Sequence, residues 1–291
     1  MPAETGGAAA SYVVQGHDAV RSVFETGWFG RIALRLLREA GGAELLDLGC
    51  GGAEPAWSAR VALRRYVGVD LAPPPDGCFV QHDLRDGLGP VGARPFHLYL
   101  GTFGIASHLA PAHLRRLLRE IAAHARPGAI VAIEALGLFS LEWPRLWDRP
   151  AGPARTIPYR LAADVEVHPW APRELGTLLR EAGIEPLRAF DRTLQAGPKA
   201  GEGRYWPALP AVRDALNALL AGEWNSAHEA ELIAPLPPLP AGQAALVHHT
   251  LAARRRALAG AGRLSPDAIW ALEPTTGGGY GHGLFVVGRV R

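Results

Sequence analysis

The sequence predicts an α/β fold, a mostly parallel sheet covered by helices on both faces. Three observations predict it. Short apolar runs recur at regular intervals, amphipathic helical patterns separate several of them, and the first run ends in a glycine-rich turn. Strand, helix and strand at this spacing read as parallel strands joined by crossovers.

The elements follow in order. After a loose tail, "DAVRSVFETGWFGRIALRLLREAGG" places Val20, Val23, Phe24, Ile32, Leu36 and Leu37 at helical spacing and stops at Gly41-Gly42, which predicts one or two helices. The runs "ELLDLG", "RYVGVDL", "CFVQHDL", "FHLYLGTFG" and "AIVAIEALG" predict five strands. Between the fourth and fifth, Leu114, Leu117, Leu118, Ile121 and Ala125 share one helical face from Pro111 to Ala125. The pattern breaks at "FSLEWPRLWDRPAGPARTIPYR", then resumes with a helix in "APRELGTLLREAGI", a strand in "EPLRAFDRT" and a last strand in "GYGHGLFVVGRV". A second interruption holds two helical stretches, 211–221 and 243–260, on either side of "APLPPLPAG". The organisation read from this is an N-terminal helical cap (1–40), a core (41–194) with an insertion at 139–165, a helical insertion or lid (195–279), and a final core strand (280–291).

Composition narrows the function. The 291 residues carry a net charge of +2, and no block of basic residues supplies the stripe that a phosphate backbone needs. Nucleic acid is therefore disfavoured as a partner. Cys50 and Cys78 are too few for a disulfide framework or a cysteine-based zinc site. No signal-peptide pattern or membrane span is read, so a cytoplasmic protein with no membrane partner is expected. A homodimer is compatible with the sequence.

The glycine turn carries most of the chemistry. In a doubly wound sheet, ligands sit outside the carboxyl ends of the strands. Gly49 and Gly51 lie just past the first strand, where the absence of a Cβ lets a ligand approach the main chain. Asp70 ends the next strand, placed to take both hydroxyls of a ribose. A nucleoside is the implied ligand, and to this point NAD fits as well. Asp47, two residues before the first glycine, suits an ammonium group and repels a pyrophosphate. Asp83 ends the third strand, where it can accept from an adenine amino group or cap the following turn.

Together Asp47-Leu48-Gly49-Cys50-Gly51-Gly52, Asp70, Asp83 and the "RPGA" turn before the fifth strand resemble the class I S-adenosylmethionine-dependent methyltransferases, over residues 40–192 and again at 282–291. Ala53 replaces the third glycine often found in the first motif. The resemblance implies a Rossmann-like sheet of seven strands with the last antiparallel, and S-adenosyl-L-methionine as cofactor. It places Leu71, Leu84 and Gly101 in the cofactor site beside Asp47, Gly49, Gly51, Asp70 and Asp83. The implied reaction moves a methyl group to oxygen or nitrogen of a small molecule, possible natural-product acceptors included. Retention of the cofactor for a cyclisation or rearrangement without transfer is the alternative.

In-line displacement at a sulfonium methyl needs alignment, exclusion of water and, for a hydroxyl nucleophile, a base. His108, after the fourth strand, is the leading candidate base, with a capping or packing role as the alternative. His168 precedes a helix after the first insertion and is the second. Tyr12 and His17 in the N-terminal segment, Trp143 in the first insertion and His282 before the last strand are candidate substrate contacts. Glu134 can face an amine or the neighbouring helix. The aromatics Trp147, Tyr159, Tyr205, Trp206, Trp224 and Trp270 suit a lid over a ring-bearing acceptor or, more plainly, cores of the insertions. No metal site is read: His248 and His249 point about 100° apart on a helix. Arg254-Arg255-Arg256 reads as a solvated face. A nicotinamide oxidoreductase is disfavoured by Asp47 and by Lys199, the only lysine, standing without a tyrosine partner.

Overall fold

The computed structural model describes residues 20, 25–51, 63–72, 78–150, 155–160, 164–192, 212–223, 225–260 and 277–291. Helix α1 (Thr26–Glu39) is followed by β1 (Glu44–Leu48), β2 (Arg65–Asp70), β3 (Phe79–Gln81) and β4 (Leu98–Gly101). Then come α2 (Pro111–His124), β5 (Ile130–Leu136), a hairpin of β6 (Ile157–Arg160) and β7 (Asp164–Val167), α3 (Pro172–Glu181) and β8 (Ile184–Arg192). Helices α4 (Val212–Ala221), α5 (Ser226–Ile233) and α6 (Gln243–Gly260) precede β9 (Gly283–Val290).

Seven strands form one sheet in the order β3-β2-β1-β4-β5-β9-β8. β1 to β5 pair in parallel, and β9 runs antiparallel to both β5 and β8. This is the Rossmann-like sheet with an antiparallel last strand, and it reverses direction of build between β1 and β4. The switch point places the carboxyl ends of β1, β2 and β4 around one crevice.

Alternation along the strands divides the core. Leu45, Leu98, Leu100, Ile130 and Phe285 face α1, where they bury Phe29, Ala33, Leu36 and Leu37. Leu46, Leu48, Tyr99, Val131 and Ile133 face the other way and pack with Leu114, Leu117, Leu118 and Ile121 of α2 and Leu175, Leu178 and Leu179 of α3. Helix α1 closes with the Gly41 N–H on Arg38 O (3.1 Å) and the Gly42 N–H on Leu37 O (3.1 Å), Gly41 standing at φ 67°. That double bond is the Schellman stop, and it needs the left-handed residue that glycine supplies. Pro111 and Pro172 each occupy the first turn of their helices, where a missing N–H costs nothing.

Three details depart from the sequence reading. The segment read only as an interruption contains the β6–β7 hairpin, whose Ile157, Tyr159 and Val167 build a small core with Leu136, Leu138, Trp143 and Leu146. Two four-residue strands, one with Pro158 inside it, are too short for periodicity to reveal them. The second interruption holds three described helices rather than two, because α5 starts on an Asn225 side chain that caps Ala227 and His228 N–H groups. Arg255 is buried at 4% exposure while Arg254 and Arg256 are exposed, so the arginine run is not a uniform solvated face. Position 255 lies on the stripe of Ala245, His248 and Ala252 that α6 turns inward. Among the described residues no helix is long and apolar enough to cross a membrane.

Candidate functional site

The turn after β1 is tied to the tip of β2. The Gly49 and Cys50 N–H groups bond Val69 O at 2.8 and 3.2 Å, and the Gly51 N–H donates to Asp70 Oδ2 at 2.8 Å. Gly49 and Gly51 both sit at positive φ, 72° and 78°. A Cβ at Gly49 would lie 2.7 Å from Ile105 Cδ1, whereas one at Gly51 would meet nothing within 4 Å among the described residues. No described side chain therefore crowds Gly51, and its main chain can serve as a shelf for a ligand. Asp70 Oδ1 also accepts from the Ala72 N–H at 3.3 Å. Leu71, half-buried, accepts from Gln81 through its carbonyl at 3.0 Å. Gly101 ends β4 beneath Ile105, whose Cγ2 would lie 2.5 Å from an added Cβ. Gly52 and Ala53 lie outside the described residues.

Asp47 is fully buried on the α1 face, where Oδ2 accepts from the Tyr66 hydroxyl at 2.9 Å. Burial pushes the Cys50 thiol far up, and Asp47 and Asp70 push it further. Asp83 caps the 3-10 turn 84–86 through the Arg85 N–H (2.9 Å) and pairs with the Arg85 guanidinium (2.7 Å). Burial works to raise the Asp83 carboxyl, but these bonds to Arg85 prevail and hold it below the usual range. The capping alternative is thus the geometry seen, and an adenine contact at Asp83 would share its oxygens with Arg85. Leu84 is buried in the main core.

A second, small cavity of about 40 Å³ lies past the ends of β4 and β5. Glu25, Phe103, Gly104, Glu134, Leu136, Tyr159, Arg192, Arg213, His282 and Gly283 line it. Phe103 holds φ 53°, the one left-handed non-glycine residue among those described, at a cost of about 1–2 kcal/mol. Contact with Phe29 at 4.6 Å between ring centroids holds it there. Glu134 is ion-paired: Arg192 Nε donates to it, and the Gly104 N–H that opens the 3-10 turn 105–108 donates to it at 3.0 Å. Arg192 also donates to Glu25 Oε1 (2.6 Å), which Arg213 approaches to 3.6 Å. Burial opposes charge on Arg192, and Glu134 and Glu25 reverse that effect.

On the cavity's other side, His282 Nδ1 bonds Glu142 Oε2, and the Tyr159 hydroxyl meets His282 Nε2 at 3.1 Å. All three side chains are buried. The glycine loop carrying His282 is anchored by Asp191, which accepts the Gly278 and Gly279 N–H groups at 2.9 Å each. Burial raises the Asp191 carboxyl to about 6 in spite of these bonds. Gly137 and this loop pack backbone to backbone, since a Cβ at Gly137 would stand 2.4 Å from Gly281 O.

The other candidate residues are placed as follows. His108 stands at the end of the 3-10 turn after β4, edge-on to Tyr159 at 6.2 Å, and burial pulls its imidazole down to about 4. His168 is half-buried between β7 and α3, lowered by its burial, and bonds Ser107 O only through its backbone N–H (2.9 Å). Trp143 lies in the hairpin core with Nε1 on Gly137 O at 2.9 Å, away from the cavity lining. Tyr12 and His17 lie outside the described residues, as do Lys199, Tyr205, Trp206, Trp224 and Trp270. His248 and His249 diverge, the first buried and the second exposed. Glu142, Asp191 and Arg192 escaped the sequence reading as site residues, and Tyr159 entered it only as a lid or core aromatic. "GGGYGHG" was the available signal, because consecutive glycines before a strand mark close backbone approach.

No protein-family model matches the sequence, and no curated protein matches it. Solved structures similar to the chain include an S-adenosylmethionine-dependent methyltransferase from Archaeoglobus fulgidus, 13% identical, covering 91% of this chain and 94% of that one with a TM-score of 0.46. A 1,6-didemethyltoxoflavin-N1-methyltransferase from Burkholderia thailandensis is 24% identical over 64% of this chain and 78% of its own, with a TM-score of 0.43. An amino pentose methyltransferase from Micromonospora echinaspora is 17% identical over 58% and 91%, with a TM-score of 0.40. At these scores, function has to be argued from the chain's own residues.

Proposed function

We propose that the protein binds S-adenosyl-L-methionine in the crevice at β1, β2 and β4 and transfers its methyl group to oxygen or nitrogen of a small molecule. The observation that carries this is the main-chain shelf at Gly49–Gly51, clasped to Asp70 at the switch point of the sheet. The residues suit a cationic nucleoside: an acid at the tip of β2 for the ribose, no lysine at the turn for a pyrophosphate, and buried Asp47 adding negative potential beneath it. Bound there, the cofactor supplies a methyl carbon already activated by its sulfonium. The chain's own part is to hold the acceptor in line, keep water out and receive a proton. A low-lying imidazole such as His108 remains neutral at pH 7 and has little driving force as a base.

Calorimetry against S-adenosylmethionine, S-adenosylhomocysteine and NAD tests the reading. Binding of the first two and not the third is expected. Asp70→Ala should weaken that binding by about 1.5–3 kcal/mol, roughly ten- to a hundredfold, by removing a charged acceptor from the ribose hydroxyls. Unchanged affinity in the variant would remove Asp70 from the site, and no binding by the intact protein would remove the function. Binding without S-adenosylhomocysteine release on acceptor turnover would mark the non-transferring alternative.

A further inference from the structure

We infer that the amino-terminal edge of the sheet is a docking face for an acidic helix of a partner protein, with Arg64, Arg65, Arg94 and Arg126 as the residues that receive its carboxylates. The inference stands apart from the methyl-transfer reading, because this edge is opposite the one that carries the glycine turn and Asp70.

Strand order gathers the four arginines. Arg64 and Arg65 stand at the start of β2, Arg94 shortly before β4 and Arg126 in the turn before β5, while Glu44 opens β1 between them. The guanidinium groups of Arg94 and Arg126 both reach Glu44, the second at 3.1 Å, and His97 Nδ1 lies 3.3 Å from the same carboxylate. Arg65 donates to Arg94 O at 2.6 Å and holds its guanidinium carbon 3.6 Å from the Phe96 ring centroid. Arg64 is exposed and forms no ion pair among the described residues. Burial first, and then Arg126, Arg64 and Arg94, keep the His97 imidazole below its ordinary value against the pull of Glu44, so three of the arginines act on one ring.

The charge count sets this edge apart. Four arginines against one glutamate leave a surplus of three positive charges, whereas the whole chain carries +2. Glu39, at the end of α1, and Glu185, at the start of β8, do not offset it, because the first is paired with Arg35 and Arg188 and the second with Arg291. Like charges gathered in this way repel, and the buried Glu44 carboxylate is what holds Arg94 and Arg126 together. Their side chains are nevertheless 71% and 42% exposed, so both remain open to a second anion. With Arg65 fixed on Phe96 and two arginines fixed on Glu44, part of the ordering that binding demands is already done.

Spacing and chemistry give the partner's class. The starts of β2, β1, β4 and β5 span three inter-strand steps, about 14 Å at about 4.8 Å a step. A helix presents acidic side chains on one face about every 5.4 Å, so roughly three turns cover the row. A guanidinium takes a carboxylate through two parallel N–H bonds. Duplex DNA calls for a longer basic stripe and a more positive chain than +2 provides.

Fluorescence anisotropy on the full chain at low ionic strength tests the docking face. The probe is a labelled helical peptide of about 20 residues with glutamates on one face at i, i+4 and i+7 spacing. The same peptide with glutamines is the control, and duplex DNA and phosphatidylserine vesicles at equal anionic charge are the competitors. Saturable binding of the glutamate peptide and none of the glutamine peptide is expected, weakening as salt is raised. Arg64→Gln with Arg94→Gln should weaken binding about tenfold through loss of two exposed ion pairs. Arg254→Gln with Arg256→Gln, an equal loss of charge from the exposed side of α6, should leave it unchanged. Arg64→Gln alone, at a side chain with no bond to lose, should weaken it about threefold, and it keeps the test valid if the pair lowers the urea midpoint. No binding of the glutamate peptide, or equal weakening by the two pairs of substitutions, overturns the docking face. Displacement of the probe by DNA or vesicles more readily than by unlabelled glutamate peptide overturns the acidic helix as its partner.

Discussion

At the scale of single residues, Arg192 is the side chain on which most depends. Its guanidinium joins Glu134 at the end of β5 to Glu25 ahead of α1 and lies 5.1 Å from the Phe29 ring centroid. Removing it takes a cation from two buried carboxylates, one of which, Glu25, Arg213 still approaches to 3.6 Å. Arg192→Met should therefore destabilise by about 3–5 kcal/mol, read as a fall in the urea midpoint. A loss under 1 kcal/mol would mean that water or another cation replaces it. Neither carboxylate partner was legible from the sequence, because β8 and β5 meet through β9, which lies about a hundred residues downstream of β8. The glycine turn was legible: Gly49, Gly51 and Asp70 are separated by little more than one crossover, and local chemistry alone placed them together.

At the scale of elements, α6 poses a conflict between pattern and position. Its inward stripe includes His248, which donates to Phe139 O at 2.7 Å and stacks on Trp147, and also Arg255, whose three guanidinium nitrogens find no hydrogen-bond partner among the described residues. Burial, and then the neighbouring Arg256, bring Arg255 down to about 10, so it is still charged at pH 7. Arg255→Met keeps the stem and removes the buried charge; it should raise stability by about 1–3 kcal/mol in chemical denaturation. A loss instead would show that the folded protein pairs this arginine. The β6–β7 hairpin makes a similar point about legibility. Four-residue strands with Pro158 inside one of them carry no usable period, and only packing of Trp143, Ile157 and Tyr159 on Leu136 and Leu138 makes them strands.

At the scale of the whole molecule, buried titrating groups set the response to acid. His108 and His248 are pulled by burial from 6.5 to about 4, so between those values the unfolded chain binds protons that the native protein does not. Their stabilising effect is present above pH 6.5 and is lost as pH falls toward 4. Asp191, raised by burial from 3.8 to about 6, acts in the opposite sense: its contribution is present below pH 4 and lost as pH rises through 6. Two histidines against one aspartate leave a net release of about one proton on folding near pH 5. From these three groups, stability should rise with pH between about 4 and 6 by roughly 1.4 kcal/mol per unit. His248→Gln should flatten that segment of the curve, measured by urea denaturation at several pH values; an unchanged slope would mean that His248 titrates normally.

What the sequence by itself determined were the features written in short spans: the strand runs, the amphipathic faces of α2 and α3, the helix stop at Gly41, and the glycine turn with Asp70 one crossover later. These follow from side-chain periodicity and from backbone conformations that glycine alone adopts cheaply, both local properties. Only the tertiary structure decided what stands at the far side of the sheet. Closing β9 between β5 and β8 brought Glu142, Tyr159 and His282 into contact, and Glu134 to Arg192, across 58 to 140 residues. Such pairs have no period and no spacing, because their proximity is set by strand order and by the close backbone packing of Gly137 on the glycine loop.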